Sequence, residues 1–216
     1  GASMKIKKVK IEGFKCIGSI ETDLLPFNVL IGPNDSGKSS FMQAITMVGT
    51  LANANGLHDE EVKNELWMLG GKSISGGKSA NRKIHIAFSS NLNDGRESSY
   101  DVTLSPRDNL KEYKLESETV VSGKTTIRLE WKGSDWFWTR NGEFVGRTGS
   151  EPSMSILHYF QHQEGLHLDE FARTKLFHFD PESPALDSKF NNSQDLLEIG
   201  KNGSGLPTLL ANLALT

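Results

Sequence analysis

The run Phe27-Asn-Val-Leu-Ile-Gly-Pro-Asn-Asp-Ser-Gly-Lys-Ser-Ser40 changes character twice along its length. Phe27, Val29, Leu30 and Ile31 make its start apolar and strand-like. From Gly32 to Ser39 it fits G-x-x-x-x-G-K-[ST], the pattern of a phosphate-cradling loop. Beyond it Phe41, Ala44, Ile45, Val48 and Ala52 recur at helical spacing. Strand, glycine-rich turn and helix are the context that such a loop needs. Gly32 and Gly37 permit backbone conformations that a Cβ penalises, so successive N–H groups can point inward at phosphate oxygens. A helix starting near Lys38 adds free N–H donors and partial positive charge. The ligating groups predicted are the amides of Asn34, Asp35, Ser36, Gly37, Lys38, Ser39 and Ser40 and the Lys38 ammonium. Ser39 would offer its hydroxyl to Mg²⁺.

The chain supplies its own controls. Gly-Lys-Ser/Thr recurs at Gly71-Lys72-Ser73, Gly77-Lys78-Ser79 and Gly123-Lys124-Thr125. Five residues before those glycines stand Leu66, Lys72 and Glu118, where the pattern needs glycine. None follows an apolar strand and opens a periodic helix. All three read as loop or turn glycines.

The 216 residues suffice for one large domain or two small lobes. A hydrophobic content of 36% and a charged content of 24% fit a globular chain. The net charge of −3 gives no overall basic signal, which argues against a dedicated nucleic-acid module but leaves a local DNA-binding face open. One cysteine, Cys16, excludes an internal disulfide and fits a reducing, cytoplasmic setting. No run is apolar for long enough to span a bilayer, so no membrane partner is expected. Gly1-Ala-Ser3 before Met4 reads as a cloning remnant.

Residues 4–12 read as an edge-type strand whose lysines face solvent. Gly13-Phe14-Lys15-Cys16 reads as a turn, residues 18–25 as a second strand, and residues 27–32 as a buried strand feeding the loop. After the loop helix, Asn53-Ala-Asn-Gly56 is a breaker, and Asp59 caps a helix with Val62, Leu66 and Leu69 on one face. Residues 70–81 form a Gly/Ser/Lys loop. Residues 83–145 read as an antiparallel meander. In it Ile84, Ile86 and Phe88 share one face, as do Tyr100, Val102 and Leu104, and Asn141-Gly142 marks a hairpin. Trp131, Trp136 and Trp138 suit core packing and cross-strand pairing better than a base-stacking platform.

His158, His162 and His167, with Glu164 and Asp169, match no standard metal-ligand spacing. Leu166-His-Leu-Asp-Glu170 imitates a Mg²⁺-binding acidic motif but reads as the start of a helix, residues 168–173. Residues 175–179 form a strand stopped by Asp180-Pro181, and Leu206, Leu209, Leu210 and Leu213 form a helix face whose exposure at a terminus suggests sequence beyond it. The fold class expected is α/β: residues 4–82 with the loop, 83–145 as an antiparallel β lobe, and 146–216 as a return to the core and the start of a helical region.

This order resembles the N-terminal half of ABC-type ATPase heads of the RecF/SMC/OLD group of P-loop NTPases. The segments that carry the likeness are Met4-Lys-Ile-Lys-Lys-Val-Lys-Ile-Glu-Gly-Phe-Lys-Cys-Ile17, the run 27–40, Leu176-Phe-His-Phe-Asp-Pro181 and Asn202-Gly-Ser-Gly-Leu-Pro-Thr-Leu-Leu210. The resemblance implies ATP with Mg²⁺ as ligand, and places Phe14 and Lys15 near the nucleotide. It also implies a second half of the head bearing a signature loop, a Walker B Asp-Glu pair and a switch His, with ATP clamping two head copies together. None of those later motifs is recognisable here, and the Gln that joins core to helical lobe has no clear counterpart. DNA repair and phage defence are the roles such heads suggest. A P-loop kinase and a non-catalytic scaffold lobe stand as alternatives, although a kinase usually continues into a parallel α/β run with lid arginines. No Asn-Lys-x-Asp signal favours guanine.

Overall fold

Period-two alternation of apolar and polar residues builds a continuous antiparallel sheet. The computed structural model describes residues 6–25, 28–33, 36–53, 83–91, 95–106, 113–150 and 155–156. In chain order these form β1 (Ile6–Phe14), β2 (Ile17–Asp23), α1 (Lys38–Asn53), β3 (Ile84–Asn91), β4 (Glu97–Pro106), β5 (Tyr113–Ser122), β6 (Thr125–Lys132), β7 (Asp135–Arg140) and β8 (Glu143–Thr148). The sheet order is β2-β1-β3-β4-β5-β6-β7-β8. Backbone contacts divide the chain into Gly1–Thr174 and Lys175–Thr216, and all described residues belong to the first unit.

The inward face of the sheet carries Val9 and Ile11 of β1, Ile86 and Phe88 of β3, and Tyr100 and Val102 of β4, all fully buried. Phe41, Ala44, Ile45 and Val48 of α1 join the same apolar cluster, which makes the helical face read from the sequence the packed one. Burying each of the Val, Ile and Phe side chains stabilises the fold by roughly 1.5–3 kcal/mol before entropy is counted. The helix ends at Asn53, where the breaker begins.

The meander forms as expected and runs on to Thr148. Its last hairpin turns through Asn141 and Gly142, with φ of 51° and 84°. Two successive left-handed residues define the type I′ turn that matches strand twist. Asn141 also ties the turn to β6: its N–H donates to the Thr126 carbonyl at 2.8 Å, and its Oδ1 accepts from the Thr126 N–H at 2.8 Å. Trp131 and Trp136 are direct cross-strand partners with ring centroids 4.1 Å apart. A register shift between Trp138 and Thr139 puts a bulge in β8, which blunts that free edge.

Three expectations are corrected. β1 is an interior strand, since it pairs with β2 and with β3. The tight turn at Lys15 and Cys16 folds β2 back onto β1, so β2 takes the edge. Lys7 and Lys8 remain exposed. Gly13 and Phe14 belong to β1 rather than to the turn. Residues 28–33 form no strand, and Val29, Leu30 and Ile31 are 64%, 43% and 91% exposed. A strand needs neighbours to take its N–H and C=O groups, and none of the eight strands of the sheet pairs with this stretch. The strands before and after the loop share one sheet through β1 and β3. The segments expected at 59–69, 70–81, 168–173, 175–179 and 206–213 lie outside the described residues.

Candidate functional site

The phosphate-loop residues meet at the N-terminus of α1. Gly37 has φ +91°, a left-handed conformation that costs an L-residue about 1–2 kcal/mol. It lets the chain turn into the helix, whose first backbone bond runs from the Phe41 N–H to the Gly37 carbonyl at 2.8 Å. The amides of Lys38, Ser39 and Ser40 therefore have no acceptor within the helix and are available to an anion. No acidic side chain occupies the first turn of α1 to compete for them.

The Lys38 ammonium curls over this turn. It donates to the carbonyls of Gly32 at 2.6 Å and Pro33 at 2.5 Å, and lies 3.2 Å from the Ser36 hydroxyl. A Cβ on Gly32 would come within 2.8 Å of Ser36 Oγ, so a larger residue there would push the Ser36 side chain aside. Ser39 is exposed beside Lys38, whereas Ser40 is buried. Asn34 and Asp35 lie outside the described residues.

The turn between β1 and β2 rests against this element. Cys16 Sγ is 3.4 Å from Ser40 Oγ and 3.3 Å from where a Cβ on Gly37 would stand. Lys15 adopts φ 49°, and its ammonium donates to Gln43 Oε1 on α1 at 2.5 Å. Partial burial lowers the Lys15 pKa. Phe14 is fully buried and belongs to the apolar core cluster.

Free amides, a lysine ammonium, an exposed hydroxyl and a first helical turn without an acidic side chain suit a polyphosphate with its Mg²⁺. Among the described residues no group of three or more His, Cys, Asp or Glu side chains is placed to hold a metal by itself.

Two polar clusters escaped the sequence reading. Glu118 of β5 is 0% exposed within the apolar layer. It accepts the Tyr100 hydroxyl at 2.5 Å on Oε1 and the Ile156 N–H at 2.7 Å on Oε2. Burial, then the Glu118 charge, pushes the Tyr100 pKa well up. The signal was the parity of Glu118 with Val120, which places an acid on an inward face. On the other face, His85 bridges two carboxylates: Nδ1 lies 2.8 Å from Glu12 Oε2 and Nε2 lies 2.8 Å from Asp101 Oδ2. No local motif announces that cluster, because its members come from three strands.

The G-x-x-x-x-G-K-S pattern of Gly32 to Ser39, opening α1, marks a P-loop nucleotide-binding domain. The chain belongs to the AAA ATPase domain family, whose model matches residues 4–136. That span takes in β1, the loop, α1 and the sheet as far as β7. No curated protein matches the chain. Among the described residues no helix is long and apolar enough to cross a membrane.

Proposed function

We propose that this chain is the ATP-binding N-terminal part of an ABC-type ATPase head of the RecF/SMC/OLD kind. The observation that carries the reading is the Lys38 ammonium held over the Gly37 turn, beside the unpaired amides that open α1. The β- and γ-phosphates of ATP would take the place of the Gly32 and Pro33 carbonyls on Lys38, and the amides of residues 34–40 would cradle them. Ser39 would complete the coordination of Mg²⁺. The bound Mg²⁺ supplies charge neutralisation between the phosphates, while the chain's own residues position and bind.

Hydrolysis further requires an acid to position water, which the reading assigns to a second half of the head. The exposed run Val29, Leu30, Ile31 suits the addition of that half, because neighbouring strands would bury it. ATP would then clamp two head copies, and hydrolysis would release them, in the service of DNA repair or phage defence. Isothermal titration of the 216-residue chain with Mg-ATP tests the reading. Weak binding that Lys38→Ala removes, with little or no turnover, is expected. Lys38-independent binding overturns the site, and robust Lys38-dependent turnover overturns the division of labour between halves.

A further inference from the structure

The Glu12–His85–Asp101 bridge lies on the sheet face opposite the apolar core, by alternation with Ile11, Ile84, Ile86, Tyr100 and Val102. A neutral imidazole carries one N–H, so it can donate to one carboxylate and must turn a lone pair on the other. With 2.8 Å at both ring nitrogens, only the imidazolium satisfies both acids. The neighbouring charges are Lys10 on β1, at 3.3 Å from Glu12 Oε1, and Glu21 on β2, itself ion-paired with Lys8. From β4 the facing charge is Asp101. The hydrogen bond to Asp101, reinforced by Glu12 and opposed by partial burial, raises the His85 pKa above its ordinary 6.5.

Glu12 joins the bridge to the β1–β2 hairpin. Glu12 pairs with Ser19 across the β1–β2 hairpin, next to the Phe14–Ile17 pair that closes it. The turn beyond that pair puts Cys16 on Ser40 and Lys15 on Gln43. We propose that Glu12, His85 and Asp101 form a proton-dependent brace that positions the β1–β2 turn against the phosphate loop, so that nucleotide affinity falls as His85 loses its proton. This rests on the nucleotide reading above. His85 is a positioning residue: it acts through Glu12 and touches no ligand. Below its raised pKa the brace is whole, and as pH climbs through that value one of its two bonds becomes repulsive.

Linkage makes the inference testable on the unaltered chain. If protonation favours nucleotide, then nucleotide must favour protonation by the same factor. In an NMR titration of the ¹³C-histidine-labelled chain, saturating Mg-ATP should raise the His85 midpoint by about 0.7 pH, the equivalent of about fivefold coupling. Independently, wild-type affinity for Mg-ATP should fall about fivefold between pH 6 and pH 8.5 relative to His85→Gln, whose profile lacks that step. A His85 that merely holds the sheet would lower the melting temperature on substitution yet show no ATP-linked midpoint. An unmoved midpoint in a sample that binds Mg-ATP through Lys38 overturns the brace and leaves the nucleotide reading standing. Absence of Lys38-dependent binding at every pH overturns both.

Discussion

Cys16 Sγ lies 3.4 Å from Ser40 Oγ, so the hairpin turn and the start of α1 touch at the base of the phosphate loop. Cys16 is the chain's one cysteine and is exposed, which makes it a selective reporter. Saturating Mg-ATP is expected to slow its reaction with a maleimide several-fold, and a bulky adduct to weaken nucleotide binding. Cys16→Ser should leave binding unchanged, because a hydroxyl can stand beside Ser40 as well as a thiol. Equal labelling rates with and without Mg-ATP would detach the turn from the site.

Lys38 separates binding from stability. Its bonds run to Gly32 and Pro33 carbonyls at the surface, where water can replace them. Lys38→Ala should shift unfolding free energy by no more than about 0.5 kcal/mol, the usual range for surface changes. The same change should weaken Mg-ATP by roughly 10- to 100-fold, since each hydrogen bond to a charged group contributes about 1.5–3 kcal/mol. Urea unfolding and calorimetry on the one variant read both numbers, and a large loss of stability would mean that the lysine is chiefly structural.

The buried acid is the opposite case. Tyr100→Phe removes the hydroxyl that donates to Glu118 Oε1 inside the apolar layer. Loss of that buried hydrogen bond to a charged group should cost about 1–3 kcal/mol in urea unfolding, whereas most of the phenyl packing survives. Because Glu118 also accepts the Ile156 N–H, exchange of that amide should quicken in Glu118→Leu. Unchanged protection of Ile156 would show that the tie contributes little.

What the sequence disclosed follows from the range of each interaction. The loop, α1 and the meander are local: their evidence is spacing within a single segment, and Gly37, Phe41, Ala44, Ile86 and Phe88 sit where spacing puts them. The place of β1 in the sheet depends on which strand folds back beside it, and Lys5-to-Lys10 charge patterning says nothing of that. The run 27–32 misleads for a related reason. Apolar composition records what a segment would bury, and Val29 and Ile31 stand exposed where none of the described strands pairs with them. His85 was invisible because Glu12 and Asp101 lie 73 and 16 residues away in the chain and meet it only through strand register.

Gly142 tests how much the last hairpin depends on its turn. With φ of 84°, any Cβ there is strained although open space surrounds it. Gly142→Ala should destabilise the chain by about 1 kcal/mol through backbone strain alone. Gly142→Asn should cost less, since Asn tolerates that region. Equal losses for the two would point to a lost contact in place of a lost conformation.

The pH dependence of stability offers a check on His85 that needs no nucleotide. Its pKa is raised in the fold, chiefly by Asp101 and then by Glu12, so its contribution is fully present below the unfolded value near 6.5 and disappears as pH rises through the folded value. Glu12 behaves in the reverse sense: the His85 hydrogen bond lowers its pKa, so its contribution holds above about 4.5 and is lost as pH falls through the folded value. Between those limits the bridge is intact. There, His85→Gln should cost about 1 kcal/mol, a figure reduced for the partial exposure of both acids. The deficit should shrink toward zero once pH passes the raised midpoint, since the wild type then lacks the imidazolium too. Melting curves of both chains across this range decide it: a deficit that stays constant with pH would mean that His85 contributes packing and no charge.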